Sequence, residues 1–497
     1  MDPSDIDRAI RTLEALLEDP GRLAGLAPAR RRALLEAAGR LSRPHKHERV
    51  QLAKAHRRGD RARRRGHDAA LLDATEIRAA RRAEVLAPPP RHDRDSPGEL
   101  ATPRACYVCK APFATLHFFY DQLCPPCATL GYEKRFQSCD LGGRVALVTG
   151  ARVKIGFQTV LLLLRAGARV VATTRFPHDA ARRYAAEPDF GSFKDRLELH
   201  GLDLRHIPSV EVLARWLAER EGRLDVLVNN AAQTVRRPRA FYRHLLGAEA
   251  RAPEPRWRGL LSANDALRSQ LGGAGTRAIG ARASLVSWQG GQSPTGLLRP
   301  AEMSQLALVP EDLDDSPALF PLGVVDGDLQ QVDRRRSNSW RMEAADVTTP
   351  ELLEVHLVNA IAPFILCSRL RPLMARVPTR DAHVVNVSAM EASFSRRKKT
   401  DRHPHTNMAK AALNMLTRTS AADYVAAGIH MNSVDTGWVT DEDPLHHAER
   451  KQRIHDFHPP LDAVDGAARV LDPVFTGHRT GEHPFGKFWK DYKVVEW

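Results

Sequence analysis

The chain has 497 residues, 43% of them hydrophobic, and a formal charge of +14. This apolar content supports a sizeable core, and the length exceeds one ordinary domain, so we expect additions to a central domain. The longest apolar run, around Val160–Leu164, is much shorter than the ~20 residues of a membrane span, so no membrane contact is expected. The N-terminus, MDPSDIDRAI, is acidic and has no apolar segment, which predicts no secretory signal and a cytoplasmic protein.

A basic helical region is predicted over residues 1–86. Residues 4–18 have the spacing of an amphipathic helix, with Ser4 as its cap and an apolar stripe made of Ile6, Ile10, Leu13 and Leu17. A second helix is predicted over residues 28–41.

Positive charge is concentrated between Arg40 and Arg65, where eleven Lys or Arg residues stand against Glu48 and Asp60. This excess predicts either a surface for nucleic acid or another polyanion, or a solvated helix face. No aromatic residues are interleaved to stack on bases, and arginine is abundant elsewhere in the chain, so the solvated face is favoured.

A proline-rich, charged linker over 87–104 precedes a module over 105–140 that contains two CxxC pairs. Fourteen residues separate the pairs, which are Cys106 with Cys109 and Cys124 with Cys127. Each pair offers two sulfurs to a tetrahedral ion, which favours a structural zinc site in a zinc-ribbon-like module. The alternatives are two disulfides, which the missing secretory signal disfavours, or a redox pair, which would not need a second CxxC. Cys139 and Cys367 are expected to be unpaired.

Residues 144–175 predict a strand, a tight turn, a helix and a second strand. The strands are Val145–Val148 and Val170–Thr173, and the helix ends at Gly167. Glycines at the first turn of such a unit place a pyrophosphate at the helix N-terminus, where free N–H groups and the helix dipole favour anions.

Further segments follow in a recognisable order. Leu202-Asp203-Leu204 ends a third strand, Asp225–Ala232 forms a fourth strand and a polar turn, Asn359 lies in a helix, and Val384–Ser388 forms a fifth strand. With these segments, residues 141–497 resemble the short-chain dehydrogenase/reductase superfamily. The resemblance implies an α/β fold with a doubly wound parallel sheet, the Rossmann fold, which binds NAD(P) at the carboxyl ends of its strands. We also expect a small-molecule substrate and a homo-oligomer.

The implied cofactor site departs from the family pattern Thr-Gly-x-x-x-Gly-x-Gly, because Lys154 replaces the middle glycine. Its ammonium, with Arg152, is expected to meet a phosphate. Arg175 follows the second strand, where NAD sites have an acidic residue, so NADP is favoured over NAD. By resemblance, Asp203 would contact adenine, and Asn229 with Ala231 would line the ribose of the cofactor. The predicted cofactor-binding set is Thr149, Gly150, Arg152, Lys154, Ile155, Gly156, Arg175, Asp203, Leu204, Asn230, Ala231, Lys410 and Thr440.

The implied catalytic set is incomplete. Lys410 and Asn359 match the family, but Thr406 occupies the tyrosine position, and Ser388 precedes the usual serine position by one residue. A threonine hydroxyl is a much weaker acid than a phenol, so His403 is the candidate general acid in its place. The alternative for His403 and for the neighbouring His405 is a solvated helix cap.

An insertion over 235–346 separates the fourth strand from the Asn359 helix. It contains Trp257, Trp288 and Trp340 and apolar stretches that a disordered segment would lack. Because it leaves the carboxyl end of the fourth strand, it is expected to be a lid over the nicotinamide end or an oligomerisation arm. Residues from Pro484 to Trp497 predict a last strand and a packed aromatic C-terminus.

Two functional hypotheses follow. The first is an NADP-dependent oxidoreductase acting on a carbonyl or hydroxyl substrate with a non-standard catalytic centre. The second is a catalytically silent cofactor-binding scaffold or sensor, in which the zinc module and the basic helices bind a partner.

Overall fold

The computed structural model describes residues 2–82, 91–272, 294–396 and 399–497, in two compact units. One unit comprises the residues up to Leu71 together with 100–102. It contains helices α1 (Pro3–Glu18), α2 (Pro28–Ser42) and most of α3 (Lys46–Asp73), which carries most of the basic stretch. Asp2, rather than the predicted Ser4, caps α1, because its carboxylate accepts the Ser4 N–H. The predicted apolar stripe of α1 is exposed.

The second unit, residues 72–99 and 103–497, begins with the cysteine module. Helix α4 (Glu76–Arg82) precedes an antiparallel pair of strands, β1 (Glu99–Ala105) and β2 (Pro112–Thr115), and helix α5 (Pro125–Arg135) follows them. The end of the predicted linker therefore forms a strand, and residues 87–90 of that linker lie outside the described residues.

An eight-stranded sheet forms the centre of this unit. Its order is β10-β9-β8-β7-β6-β3-β4-β5, and every strand is parallel to its neighbours except β10, which forms a hairpin with β9. The predicted last strand is therefore two strands. The strands are β3 (Val145–Thr149), β4 (Arg169–Thr174), β5 (Leu197–Gly201), β6 (Val226–Asn229), β7 (Ala382–Ser388), β8 (Ile429–Asp435), β9 (Phe488–Lys490) and β10 (Lys493–Val495).

Helices cover both faces, as a doubly wound sheet requires. The helices of this unit after the cysteine module are α6 (Lys154–Arg165), α7 (Pro177–Ala185), α8 (Phe190–Phe193), α9 (Ile207–Arg220), α10 (Arg239–Glu249), α11 (Pro255–Arg258), α12 (Ser262–Gly272), α13 (Thr295–Leu298), α14 (Pro300–Met303), α15 (Thr349–His356), α16 (Ala362–Met374), α17 (Pro404–Ala426), α18 (Leu445–His455) and α19 (Ala463–Thr480).

The alternation of side chains along β3 shows how the two faces are filled. Ala146 and Val148 belong to a core with residues of α6 and α19, whereas Val145 and Leu147 belong to a core with residues of α9, α16 and α17. Strands buried on both faces are continuously apolar, which explains the sequence pattern that identified them.

One helical stretch, Thr349–Met374, is long and apolar enough to cross a membrane by length and composition alone. Its mean hydropathy over the best window is 1.4, and 67% of that window is buried inside the protein. That burial follows from its position, since the α16 part of the stretch packs on the sheet and against α9.

The described part of the insertion packs on the outer edge of the sheet. Trp257, Leu260 and Leu261 join the core around α6, and the Asn264 side chain accepts the Gly201 N–H at the end of β5 at 3.0 Å. The insertion thereby covers an edge strand that would otherwise expose unpaired backbone groups. Its residues 273–293, among them Trp288, lie outside the described residues.

Candidate active site

The glycine turn between β3 and α6 is built by close backbone contact. Gly150 has a φ of +69°, and a Cβ atom there would lie 2.8 Å from Ala231 Cα. A Cβ atom on Gly156 would lie 2.2 Å from the Gly150 carbonyl oxygen and 2.4 Å from Asn230 Nδ2. Only glycine fits at these two positions, as the phosphate-binding turn of this fold requires.

Lys154 adopts the left-handed backbone conformation that the family's middle glycine would take, with a φ of +55°. For a residue with a Cβ atom, this conformation costs about 1–2 kcal/mol. The Lys154 ammonium lies 3.7 Å from Glu442 and 3.8 Å from Asp328 of the insertion. Burial lowers the pKa of Lys154, but these two carboxylates more than offset it, so the net effect is a raised pKa.

The other predicted phosphate ligands also contact the insertion. Arg152 donates to Asp179 at 2.8 Å and to Gln330 at 3.2 Å. Arg175 donates to the Tyr242 hydroxyl at 2.7 Å and lies over the Tyr242 ring. These contacts place insertion residues directly on the basic groups that were predicted to bind the cofactor.

The predicted adenine contacts follow β5 and are buried. The Asp203 carboxylate accepts three hydrogen bonds from the Arg205 guanidinium group, and the Asp203 N–H donates to the Gly296 carbonyl at 2.9 Å. Leu204 belongs to the core around α9. The carbonyl of Gly296, in the insertion, thus accepts a backbone N–H that would otherwise be free in the predicted adenine pocket.

The polar turn after β6 is braced from within the protein. The Thr149 hydroxyl accepts the N–H groups of Asn230 and Ala231, both at 3.1 Å, and Asn230 Nδ2 donates to the carbonyls of Thr149 and Gly150. Asn229 points away from this turn, because its side chain donates to Asn386 on β7 at 2.8 Å. The prediction that Asn229 lines the ribose is therefore wrong; it connects two strands.

Asn359 lies in a π-helical turn, Leu357–Ile361, and is fully buried. Its Oδ1 accepts the Gln233 N–H at 2.7 Å, and its Nδ2 donates to the Gln233 carbonyl at 3.1 Å. This pair of bonds fixes the chain where the turn after β6 leads into the insertion, so the Asn359 side chain holds backbone.

Thr406 and Lys410 are one helical turn apart on α17, and both are buried. Lys410 Nζ donates to the Val387 carbonyl at 2.6 Å, near the carboxyl end of β7. Burial lowers the pKa of Lys410 to about 8. The hydroxyl oxygens of Ser388 and Thr406 are buried and have no hydrogen-bond partner among the described residues. Unsatisfied buried hydroxyls are uncommon, and this fits a pocket that receives a polar group.

His403 is not a solvated cap. It is 5% exposed, stacks on Trp340 of the insertion at a ring distance of 3.9 Å, and contacts Asn407 Oδ1 through Nδ1 at 3.1 Å. Burial lowers the pKa of His403, which disfavours the protonated ring that a general acid needs. His405 is also buried, 3.4 Å from Glu351, so the cap alternative is wrong for both histidines.

The loop after β8 is held by the cysteine module. The Trp438 N–H donates to the Tyr107 hydroxyl at 2.9 Å, and Tyr107 lies inside the first CxxC pair. Thr440, predicted to bind the cofactor, donates to Glu442 at 2.8 Å, and Ile155 packs beside α19 at Gly466. Their cofactor contacts stay predictions.

The four thiols of the two CxxC pairs converge. Their sulfurs lie within 4.8 Å of one another, and none forms a disulfide. A backbone hydrogen bond from Ala111 lowers the pKa of Cys109 to about 7. Arg135 fastens the module to α19, where it contacts Asp462 at 2.7 Å and Asp465 at 3.0 Å.

Sequence reasoning assigned no site role to Asp328, Glu442 or Trp340, which contact predicted site residues from outside the family pattern. The only advance signal was the acidic turn sequence Asp326-Gly327-Asp328 in an insertion expected to start beside the site.

Comparison with known proteins agrees with this architecture. Residues 144–244 match the family model described as short chain dehydrogenase, and residues 335–459 match the one described as enoyl-(acyl carrier protein) reductase. An uncharacterized protein of Acanthamoeba polyphaga mimivirus is 31% identical over 401 residues, covering 78% of this chain and 74% of that one. The chain belongs to the short-chain dehydrogenase/reductase superfamily.

Residues 245–334 lie between the two matched ranges of this short-chain dehydrogenase/reductase, and they are most of the insertion. The carbonyl reductase (NADPH) 1 of Sus scrofa is 44% identical over 90 residues, 18% of this chain, and the match spans only 30% of that enzyme. NADPH-bound carbonyl reductase from chicken fatty liver aligns with a TM-score of 0.42 at 18% identity, covering 72% of this chain and 100% of that one. The fold assignment rests on the sheet order described above.

Replacing Asn359 tests its role as a backbone clamp. Asn359→Ala leaves the Gln233 N–H and carbonyl without partners, and we expect a loss of about 2–4 kcal/mol in the free energy of unfolding. Urea denaturation followed by fluorescence measures it. Asn414→Ala is the matched control, because Asn414 is also buried, at 5% exposure, and its side chain has no hydrogen-bond partner among the described residues. Equal losses in the two variants would mean that Asn359 acts by volume alone.

Proposed function

We propose that this short-chain dehydrogenase/reductase is an NADP-dependent oxidoreductase that reduces a carbonyl substrate, or oxidises the corresponding alcohol, with Lys410 as its proton-transfer group. The observation that carries the proposal is the buried Lys410 ammonium, one turn after Thr406 and with a pKa of about 8. A cofactor-binding scaffold has no need of a proton donor near neutrality.

The residues present fit the cofactor. The two glycines let the turn between β3 and α6 close tightly against Ala231 and Asn230, which is the geometry that presents the N-terminus of α6 to a pyrophosphate in this fold. NADPH, when bound, would supply a hydride to the substrate carbon. The remaining chemistry, which is to bind and orient the substrate and to deliver a proton to its oxygen, falls to residues of this chain.

The choice of NADP is supported by surplus positive charge beside the end of β4. Arg152, Arg182 and Arg183 all contact the single carboxylate of Asp179, each at 2.8 Å, and Arg175 lies on the neighbouring segment. The Glu249 carboxylate lies beside them, where it accepts the Asp179 N–H at 2.9 Å, but two carboxylates do not balance four guanidinium groups, so a further anion is favoured here. A 2′-phosphate meets this requirement, and a free ribose hydroxyl does not.

We assign to Lys410 the role of the family's tyrosine, which is to donate a proton to the substrate oxygen. General acids work best when their pKa lies near the operating pH, and burial brings the Lys410 pKa to about 8. The hydroxyls of Thr406 and Ser388 then orient the substrate oxygen, which accounts for their having no partner within the protein. His403, stacked on Trp340, shapes the pocket wall.

The insertion acts as a lid on the cofactor cradle. Asp328, Gln330 and Tyr242 each contact one of the three basic residues assigned to the cofactor phosphates. Anionic and polar groups of the insertion thus take the positions of the phosphates, and cofactor binding must displace them. The alternative role as an oligomerisation arm has no comparable observation in its favour.

The cysteine module holds a structural zinc ion in this proposal. Four convergent sulfurs form a closed tetrahedral ligand set, which is typical of structural rather than catalytic zinc. Through Tyr107 the module fixes the backbone of Trp438, in the loop that is expected to face the nicotinamide.

A catalytically silent scaffold is the second candidate. The specific observation in its favour is Thr406, which removes the family's phenol, together with the pairing of the phosphate ligands by the insertion. This candidate predicts NADPH binding without turnover.

Lys410→Met tests the proposed function. Wild type should bind NADPH and oxidise it in the presence of a carbonyl from a panel of aldehydes and ketones. Lys410→Met removes the charged hydrogen bond that Lys410 is expected to donate to the cofactor, which should weaken NADPH binding about 10- to 100-fold. It also removes the proposed proton donor, which should abolish turnover. Because the ammonium is the active form, the wild-type reduction rate should fall as pH rises through about 8. NADPH fluorescence and absorbance measure binding and rate.

The exposed Lys487 supplies the matched control for this test. Lys487→Met should leave affinity, rate and pH profile unchanged. Absence of NADPH binding by wild type, or equal binding by wild type and Lys410→Met, would contradict the proposal. Tight binding without turnover on any substrate would favour the scaffold.

Asp328→Asn tests the lid. Removing this carboxylate leaves the Lys154 ammonium freer to meet a phosphate, and we expect NADPH to bind about 2- to 5-fold more tightly, the range of a partly exposed ion pair. Glu311→Gln, at an exposed position of the same insertion, should not change the affinity. Isothermal titration calorimetry gives both dissociation constants, and unchanged or weaker binding by Asp328→Asn would show that Asp328 does not compete with the cofactor.

A further inference from the structure

A second group of metal-binding residues lies at the amino ends of the strands, opposite the cofactor cradle. Asp381 directly precedes β7, His478 is in the last turn of α19, and His483 follows that helix by three residues. One potential ligand atom of each lies within 4.8 Å of those of the other two. We propose that Asp381, His478 and His483 bind a late first-row transition-metal ion of the Zn²⁺ type.

The ring nitrogens of this cluster are left available for a ligand. The His478 side chain is 5% exposed, and its Nε2 has no hydrogen-bond partner among the described residues. Its Nδ1 faces Asp381 Oδ2 at 3.6 Å. A buried ring nitrogen without a partner is costly unless it binds a ligand.

His383 orients the third ligand. His383 is fully buried on β7, and its Nε2 lies 2.9 Å from His483 Nδ1. Histidines that bind metals typically use one ring nitrogen for the metal and the other for such a partner. The contact leaves His483 Nε2 for the ion. His430, level with His383 on β8, packs against His483 with the rings tilted by 32° and their centres 4.8 Å apart.

Arg144 holds the carboxylate without using all of it. It donates to both oxygens of Asp381, at 2.8 and 2.7 Å. A carboxylate has about four acceptor positions, so a metal can share Asp381 with the guanidinium group. Arg144 also contacts Asp225, which pairs with Arg223, so the two cations and two anions of this network cancel. The network does not add net positive charge against an incoming cation.

The donor set indicates the class of metal and its role. Two imidazoles and one carboxylate favour Zn²⁺, Co²⁺ or Ni²⁺ over Mg²⁺ and Ca²⁺, which prefer oxygen ligands. An ion here would connect the end of α19, the segment leading to β9, and the start of β7. The site would therefore fasten the C-terminal hairpin to the sheet, away from the cofactor.

Counting bound zinc in the full chain tests the site. Protein incubated with excess ZnCl₂ and desalted should retain about two zinc ions per chain, one on the four cysteines and one here. The double variant His478→Ala with His483→Ala should lose about one of them, whether or not the cysteine site is filled, and added Zn²⁺ should raise its melting temperature less than that of wild type.

Two further variants keep the test decisive. His446→Ala with His447→Ala removes two adjacent histidines whose rings are in contact outside the cluster, and this variant should retain the wild-type zinc content. The single variant His478→Gln, which preserves the fold more readily, should also lose about one zinc ion per chain. Identical zinc content and identical Zn²⁺-induced stabilisation in wild type and the cluster variants would overturn the proposal.

Discussion

The carboxyl edge of the sheet is governed by the need of two lysine ammonium groups for a counter-charge. Lys154 stands in a turn built for glycine and is stabilised by Glu442 and Asp328, which raise its pKa. Among the described residues Lys410 donates only to the Val387 carbonyl, and burial lowers its pKa to about 8. The charge of Lys154 is therefore already balanced by carboxylates of the protein, so Lys154 stays protonated. Lys410, in contrast, has a pKa close to neutral pH and can give up its proton. We therefore assign different roles to the two lysines. Lys154 is a phosphate-binding group that the insertion contacts through Asp328, and Lys410 is suited to proton transfer.

The insertion explains how the two lysines come to differ. It leaves the sheet after β6, where Asn359 holds the Gln233 backbone, and returns across the basic residues of the cradle. Its Asp328 reaches Lys154, its Gly296 carbonyl takes the Asp203 N–H, and its Trp340 stacks on His403. The same insertion covers the edge of β5, so it serves the fold and the site together. The cysteine module contacts the loop after β8 through Tyr107, whose hydroxyl accepts the Trp438 N–H.

The fold could be predicted from the sequence because each feature that identifies it lies within a short stretch of the chain. Continuous apolar strands, the glycine turn and the Asn230-Ala231 turn each have a pattern that only a few structures satisfy. The convergence of four cysteines could also be predicted, since paired CxxC spacing constrains where the sulfurs lie. The site was predicted less well. Its decisive contacts join residues far apart in the chain, such as Lys154 with Glu442, and no spacing rule connects them. His403 was misjudged because the ring that buries it, Trp340, lies on the insertion.

Hydrogen exchange over residues 326–332, with and without saturating NADPH, tests the central claim most directly. In the lid conformation, the amide N–H groups of Asp328 and Gln330 donate to the Asp326 carboxylate, which slows their exchange. If cofactor phosphates displace this turn from Lys154, exchange in the segment should accelerate when NADPH binds, while amides of β3 stay protected. Unchanged or slower exchange in the segment, with NADPH demonstrably bound, would contradict the account.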